Sequence, residues 1–86
     1  MTDTPPAPVT PAACRAGRAL LRWSIRDLAA HAELSTRTVH GLENGKATRD
    51  TTADAIRAAF ARHGVEITNG DGTGARLRTM PGEGEG

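Results

Sequence analysis

The segment from Ile25 to Gly45 constrains the fold most, because it holds two short helix patterns separated by only a few residues. Ser24 stands at an N-cap position, and Asp27 three residues later completes a capping-box pattern. Ser35 repeats the N-cap signal, and Gly45 suits the left-handed backbone that often ends a helix. The segment therefore predicts one helix over Ile25–Ala32, a tight turn at Glu33–Leu34 and a second helix over Thr36–Asn44.

Further helix patterns lie on either side of this pair. Pro11 can open a helix, since the first turn does not use its missing N–H, and we expect this helix to end near Arg22. Thr51 and Asp54 form another capping-box pattern, which predicts a fourth helix over Thr52–His63. The helical domain is therefore expected to span residues 11–64.

The spacing of apolar residues changes after the fourth helix. Apolar and polar residues alternate on both sides of an Asn-Gly-Asp-Gly run, which predicts a β-hairpin over residues 65–78. The Pro-rich residues 1–10 predict a disordered arm, and the Gly-rich, acidic residues 79–86 predict a disordered tail. The expected fold class is mainly α, with four compact helices followed by a short C-terminal hairpin.

Composition argues against an enzyme and against a metal site. Cys14 is the only cysteine, so the chain cannot form an internal disulfide or a Cys-based zinc site. The three histidines lack ligand spacing, and the sequence contains no phosphate-binding loop or Ser/His/Asp set. No run of about 18 apolar residues or charged-then-apolar leader is present. We therefore expect a non-enzymatic cytoplasmic protein without a cofactor, a metal or a membrane span.

Charge is distributed unevenly along the chain. Residues 11–63 carry nine Lys/Arg and five Asp/Glu, whereas the two ends are mildly acidic. A basic helical segment is compatible with a polyanionic partner, although it is also typical of a solvated surface.

The stretch SIRDLAAHAELSTRTVHGLENGK, from Ser24 to Lys46, resembles the helix-turn-helix of the Cro and phage-repressor (XRE-like) family. The LENG run at Leu42–Gly45 is a common signature there, and the resemblance covers roughly residues 12–63. It implies a lambda-repressor-like domain that binds double-stranded DNA, with the third helix in the major groove. It also implies a bacterial or phage-encoded repressor that binds a palindromic operator as a homodimer.

The resemblance assigns roles to individual residues. Base reading is expected on the exposed face of the third helix, at Thr36, Arg37, His40 and Gly41. Arg37 is the main candidate for specificity, because its planar guanidinium matches O6 and N7 of guanine. An ion pair between Arg18 and Glu43 is expected to tie the first helix to the third. Phosphate contacts, through side chains or backbone N–H groups, are expected at Ser24, Ile25, Arg26, Thr38, Lys46, Thr48 and Arg49.

Three positions depart from the family pattern. The turn residue that is usually Gly is Glu33, where a left-handed backbone costs about 1 kcal/mol. Ile25 replaces a frequent Gln, so a side-chain contact to phosphate is lost. Gly41 replaces a long polar residue, which removes one base reader and weakens the helix by about 1 kcal/mol relative to Ala.

The hairpin leaves two functions open. Its edge could pair with a second copy of the chain, so that Val65, Ile67, Ala75 and Leu77 mediate dimerisation. The same edge could instead bind a heterologous protein, as in an antitoxin that uses DNA binding for autoregulation. Binding of single-stranded RNA is disfavoured, because Trp23 and Phe60 are the only aromatic residues available for stacking.

Overall fold

The structure is a computed structural model that describes residues 9–68 and 74–77. Four helices are followed by a two-stranded antiparallel hairpin, which confirms the predicted fold class. The elements are α1 (Pro11–Leu21), α2 (Ile25–Ala32), α3 (Thr36–Glu43), α4 (Asp50–Arg62), β1 (Val65–Thr68) and β2 (Gly74–Leu77). Residues 1–8 of the predicted arm, the Asn-Gly-Asp-Gly turn and residues 78–86 lie outside the described residues, whereas Val9 packs against the core and Thr10 is the N-cap of α1.

The N-termini of α1, α2 and α3 follow from local capping chemistry. Ser24 Oγ accepts a hydrogen bond from Asp27 N at 3.0 Å, and Asp27 Oδ2 accepts from Ser24 N at 2.9 Å, so the predicted capping box is present. Ser35 Oγ accepts from Thr38 N at 3.1 Å at the start of α3. Thr10 caps α1 in the same way, directly before its first residue.

The predicted start of α4 is wrong. The helix begins at Asp50, its N-cap is Arg49, and no side chain caps it, so Thr51 lies inside the helix. Asp50 stabilises this earlier start, because a carboxylate in the first turn interacts favourably with the positive end of the helix dipole. His63 is the C-cap of α4 rather than its last residue.

The core lies where α1, α2, α3 and α4 meet. Its fully buried large side chains include Leu28 of α2, Val39 of α3 and Phe60 of α4. The ring of Phe60 packs directly on the backbone of Gly17, where an added Cβ atom would lie 2.6 Å from two ring carbons. A glycine in α1 therefore allows α4 to approach closely.

The hairpin packs on α1 and α4 within the same chain. Val65 and Ile67 of β1 are buried in the common core, and Ala75 of β2 packs against it. Leu77 pairs in register with Val65, yet 53% of its surface is exposed. Among the described residues, no helix is both long and apolar enough to cross a membrane.

Candidate nucleic-acid interface

The turn between α2 and α3 contains a residue with a left-handed backbone, and this residue is Glu33 rather than a glycine. Glu33 has φ 58° and ψ 44°. Glu33 N donates to Ala30 O at 3.2 Å, and Leu34 N donates to Ala29 O at 2.8 Å, which is the hydrogen-bond pattern of a Schellman motif. The turn keeps the geometry that the family pattern implies, and the strain at Glu33 is tolerated.

This turn orients α3 so that one side of the helix is buried and the other is exposed to solvent. Val39 and Leu42 face the core. Thr36, Arg37 and His40 are exposed on the opposite side. The exposed side chains offer hydrogen-bond donors of different reach along one helix face.

The imidazole of His40 has a partner that was not predicted from the sequence. Asn44 Nδ2 lies 3.0 Å from Nδ1 of His40, 3.4 Å from Nε2, and 3.0 Å from the His40 carbonyl oxygen. The amide therefore rests against the imidazole ring and limits its rotation. The i, i+4 spacing of the two residues was the available signal.

A groove of about 370 Å³ runs between α3, the following loop and the start of α4. All of its charged lining residues are basic, and threonine hydroxyls complete its polar lining. The uncapped N-terminus of α4 adds the positive end of a helix dipole. The lining residues are Arg37, Thr38, Gly41, Leu42, Lys46, Ala47, Thr48, Arg49 and Thr52.

The groove brings together one part of the predicted site. Arg37 and Gly41, predicted to read bases, share it with four residues predicted to contact phosphate, which are Thr38, Lys46, Thr48 and Arg49. Thr52 also lines the groove and was not predicted as a site residue, although the predicted helix already placed it in the first turn of α4.

The other predicted phosphate contacts lie at the start of α2, outside the lining of this groove. The side chain of Ile25 packs against the core, so only its backbone could face a ligand. Ser24 and Arg26 are exposed. The hydrogen bond from the Ser24 backbone N–H lowers the pKa of the Asp27 carboxyl group, because this bond favours the ionised carboxylate.

The predicted ion pair between Arg18 and Glu43 is present. Arg18 Nε and Nη2 each donate to a different Glu43 carboxylate oxygen at 2.7 Å, which is a bidentate arrangement. Arg18 Nη1 also donates to Trp23 O at 3.0 Å. This one side chain therefore joins the end of α1 to the end of α3.

Two further donors to Glu43 were missed. The Cys14 thiol donates to Glu43 Oε2 at 3.1 Å, and Arg15 Nη1 donates to Glu43 O at 2.8 Å. Burial alone would raise the pKa of the Glu43 carboxyl group, but the hydrogen bonds from Arg18 and Cys14 outweigh it and the pKa is lowered. Burial, followed by the contact with Glu43, raises the pKa of the Cys14 thiol far above its usual range.

An aromatic cluster lies on another surface and joins α2 to α4. The rings of Trp23 and His31 are stacked with centroids 4.3 Å apart, and His63 meets both rings edge-on. Arg62 Nη2 donates to the carbonyl oxygen of His31 at 2.8 Å. His31 is exposed, and its stacking on Trp23 is a packing role that the sequence did not indicate.

No family model matches this chain, and the comparison with curated proteins finds no similar protein. The resemblance to the Cro and phage-repressor family therefore remains a prediction from the motif in α2 and α3.

Proposed function

We propose that this protein is a sequence-specific regulator of transcription, a repressor that binds palindromic double-stranded DNA as a homodimer. The observation that carries the proposal is that the exposed donors of α3 adjoin a groove whose charged lining residues are all basic. A protein that reads DNA needs donors for base edges next to cations for phosphates. Arg37 supplies donors for a base edge, and Lys46 and Arg49 supply cations in the same groove.

In this proposal α3 enters the major groove. Arg37 contacts guanine through O6 and N7, and Thr36 and His40 contact neighbouring base edges or phosphates. Arg49 and Thr48 bind a backbone phosphate, because the guanidinium attracts an anion and the threonine hydroxyl can donate to it. The ion pair between Arg18 and Glu43 keeps α3 at a fixed angle to the rest of the domain.

The dimer contact in this proposal uses the outer part of the hairpin. Val65 and Ile67 belong to the core of their own chain, so their side chains do not face a partner. Within the described part of the hairpin, Leu77 and the outer backbone edges of the two-stranded sheet remain for pairing. This narrows the dimerisation surface expected from sequence.

The test is binding of the full chain to duplex DNA, in two steps. Binding sites are first selected from random duplexes, and affinity for the selected site and for a scrambled site is then measured over a range of salt concentrations. We expect affinity to fall linearly on a log–log plot, with a slope of about −0.9 for each neutralised phosphate. Arg37→Ala should weaken the selected site by about 5- to 150-fold, and the scrambled site much less.

Arg62→Gln is the matched control, because it removes one exposed arginine from the end of α4, beside the aromatic cluster, rather than from α3. It should leave both affinities unchanged within error. Equal losses on both DNAs in the Arg37 variant would make Arg37 a phosphate contact. Absence of any selected sequence would rule out the proposed function.

A protein-interaction module is the second candidate, and the exposure of Leu77 favours it. A large apolar side chain at the edge of a hairpin suits a partner strand, either in a second copy or in another protein. Light scattering of the purified chain separates the two cases. A dimer supports pairing of the hairpin with itself, whereas a monomer argues for a heterologous partner or for none.

A further inference from the structure

The exposed face of α3 has a gap at Gly41. Arg37 lies one turn before this position, but Gly41 itself has no side chain to reach a ligand. Among the described residues outside its own helix, the atoms that a Cβ added at Gly41 would meet within 4 Å are Cδ of Lys46 at 3.5 Å and Cβ of Lys46 at 3.9 Å. The aliphatic part of Lys46 therefore lies across the bare backbone of Gly41.

The backbone holds Lys46 in this place. Gly45 has φ 87°, which reverses the chain at the end of α3. Lys46 N donates to Gly41 O at 2.9 Å, and Gly45 N donates to Leu42 O at 3.0 Å, so α3 ends in a Schellman motif. In this motif the residue after the left-handed glycine packs on the helix residue whose carbonyl oxygen it bonds, and here that residue is Gly41.

The aliphatic part of the Lys46 side chain is thus held in place, and its ammonium group is the part that can reach a ligand. Its stem packs on Gly41 and its ammonium group lies two bonds beyond Cδ, next to the groove that it lines with Arg37. A lysine commonly packs its methylene groups on a surface while its charged end remains in solvent. The ammonium group is therefore two bonds from an atom that lies 3.5 Å from where a side chain at position 41 would begin.

We propose that Lys46 is a specificity-determining residue that reads guanine in place of the missing side chain at Gly41. This inference rests on the proposed function. Guanine presents two adjacent acceptors, O6 and N7, in the major groove, and a lysine ammonium group can donate to both. From the sequence alone Lys46 is expected to contact a phosphate, so the two roles make opposite predictions.

The geometry also limits where the guanine lies. Arg37 and Gly41 are four residues apart, or about 6 Å along the helix axis, and base pairs stack about every 3.4 Å. Arg37 and Lys46 should therefore specify two guanines no more than about two base pairs apart in each half-site.

The experiment compares binding sites selected from random duplexes by the wild-type chain and by Lys46→Met, which keeps the stem and removes the charge. We expect the Lys46 variant to lose the guanine preference at one base pair, by roughly 5- to 150-fold, and to keep the rest of the motif. Arg49→Gln is the matched control, because it removes one charge from the same groove. It should weaken binding to all sequences equally and leave the motif unchanged.

Gly41→Gln provides a second, independent variant. Its side chain would displace the stem of Lys46, and its amide would then read the same base pair. The preferred base should change from guanine to adenine, which suits a glutamine amide.

The outcomes separate this inference from the proposed function. A Lys46→Met motif identical to that of the wild type, with uniformly weaker binding, makes Lys46 a phosphate contact and overturns the inference alone. A wild-type chain that selects no motif overturns the proposed function and this inference with it. Equal melting temperatures of wild type and Lys46→Met ensure that the comparison concerns the interface rather than the fold.

Discussion

Replacing Gly17 by alanine and replacing Gly41 by alanine should have opposite effects on the stability of the chain. At Gly17 the new Cβ would lie 2.6 Å from two carbons of the fully buried Phe60 ring. At Gly41 the nearest contact would be 3.5 Å, to the flexible stem of Lys46. The same substitution is therefore blocked by a rigid neighbour in α1 and accommodated in α3.

The expected magnitudes follow from two terms. Alanine in place of glycine within a helix favours folding by about 1 kcal/mol, and this term applies to both sites. Overpacking a rigid core costs about 1–3 kcal/mol, and the high end applies to Gly17 because the optimal carbon–carbon separation is about 3.5–4.0 Å. Gly17→Ala should therefore destabilise the chain by about 2 kcal/mol, and Gly41→Ala should stabilise it by about 1 kcal/mol.

Thermal unfolding of the full chain, followed by far-ultraviolet circular dichroism, measures both effects. A change of about 1 kcal/mol shifts the Tm of a domain of this size by about 4–8 °C. Gly41→Ala should thus raise Tm by roughly 4–8 °C, and Gly17→Ala should lower it by roughly 8–16 °C. A Gly17 variant as stable as the wild type would refute the close approach of α1 and α4.

A double-mutant cycle with Phe60→Leu identifies the clash itself. The smaller side chain should cost less stability in the Gly17→Ala background than in the wild type, since it relieves the contact with the new methyl group. Additive effects of the two substitutions would assign the loss at Gly17 to another cause.

Three further predictions concern the buried carboxylate and the strained turn. Glu43→Ala should destabilise the chain by about 3 kcal/mol in urea unfolding, because it leaves Arg18 without its partner, and equal midpoints for Glu43→Ala and Glu33→Ala would refute this. Glu33→Gly should stabilise the chain by up to about 1 kcal/mol, because glycine adopts φ 58° without strain, and a lower melting temperature would contradict it. Folding lowers the pKa of the Glu43 carboxyl group from 4.5, so the stability that its ionised form contributes is fully present above pH 4.5 and is lost as pH falls through the lower folded pKa. Glu43→Gln should therefore flatten the dependence of the unfolding free energy on pH in that range, and an unchanged profile would count against this prediction.

Local features of the fold could be predicted from the sequence because their causes act over a few residues. Ser24 and Asp27 define the start of α2 through hydrogen bonds three residues apart, so the pattern alone sufficed. The same type of pattern at Thr51 predicted a start of α4 that is too late. The helix begins at Asp50, whose carboxylate interacts favourably with the positive end of the helix dipole. A capping pattern indicates that a helix starts nearby, but competing starts differ by little free energy.

Long-range features of the site were predictable only where the family resemblance supplied them. It placed Arg18 against Glu43, whereas Cys14 and Arg15, 29 and 28 residues away from Glu43, have no local signal for their contacts with it. The position of Lys46 over Gly41 depends on the backbone reversal at Gly45. Such contacts are set by how the helices pack, and periodicity carries no information on them.

The proposed function requires that the exposed face of α3 and the adjoining groove contact DNA. Amide chemical-shift mapping of the ¹⁵N-labelled full chain, with a duplex selected from random sequences, detects this contact residue by residue. We expect the largest shifts in α3, in the loop from Lys46 to Arg49 and at the start of α2, with small shifts in β1 and β2. Shifts concentrated in the hairpin or around Trp23 and His31, with α3 unaffected, would contradict the proposal.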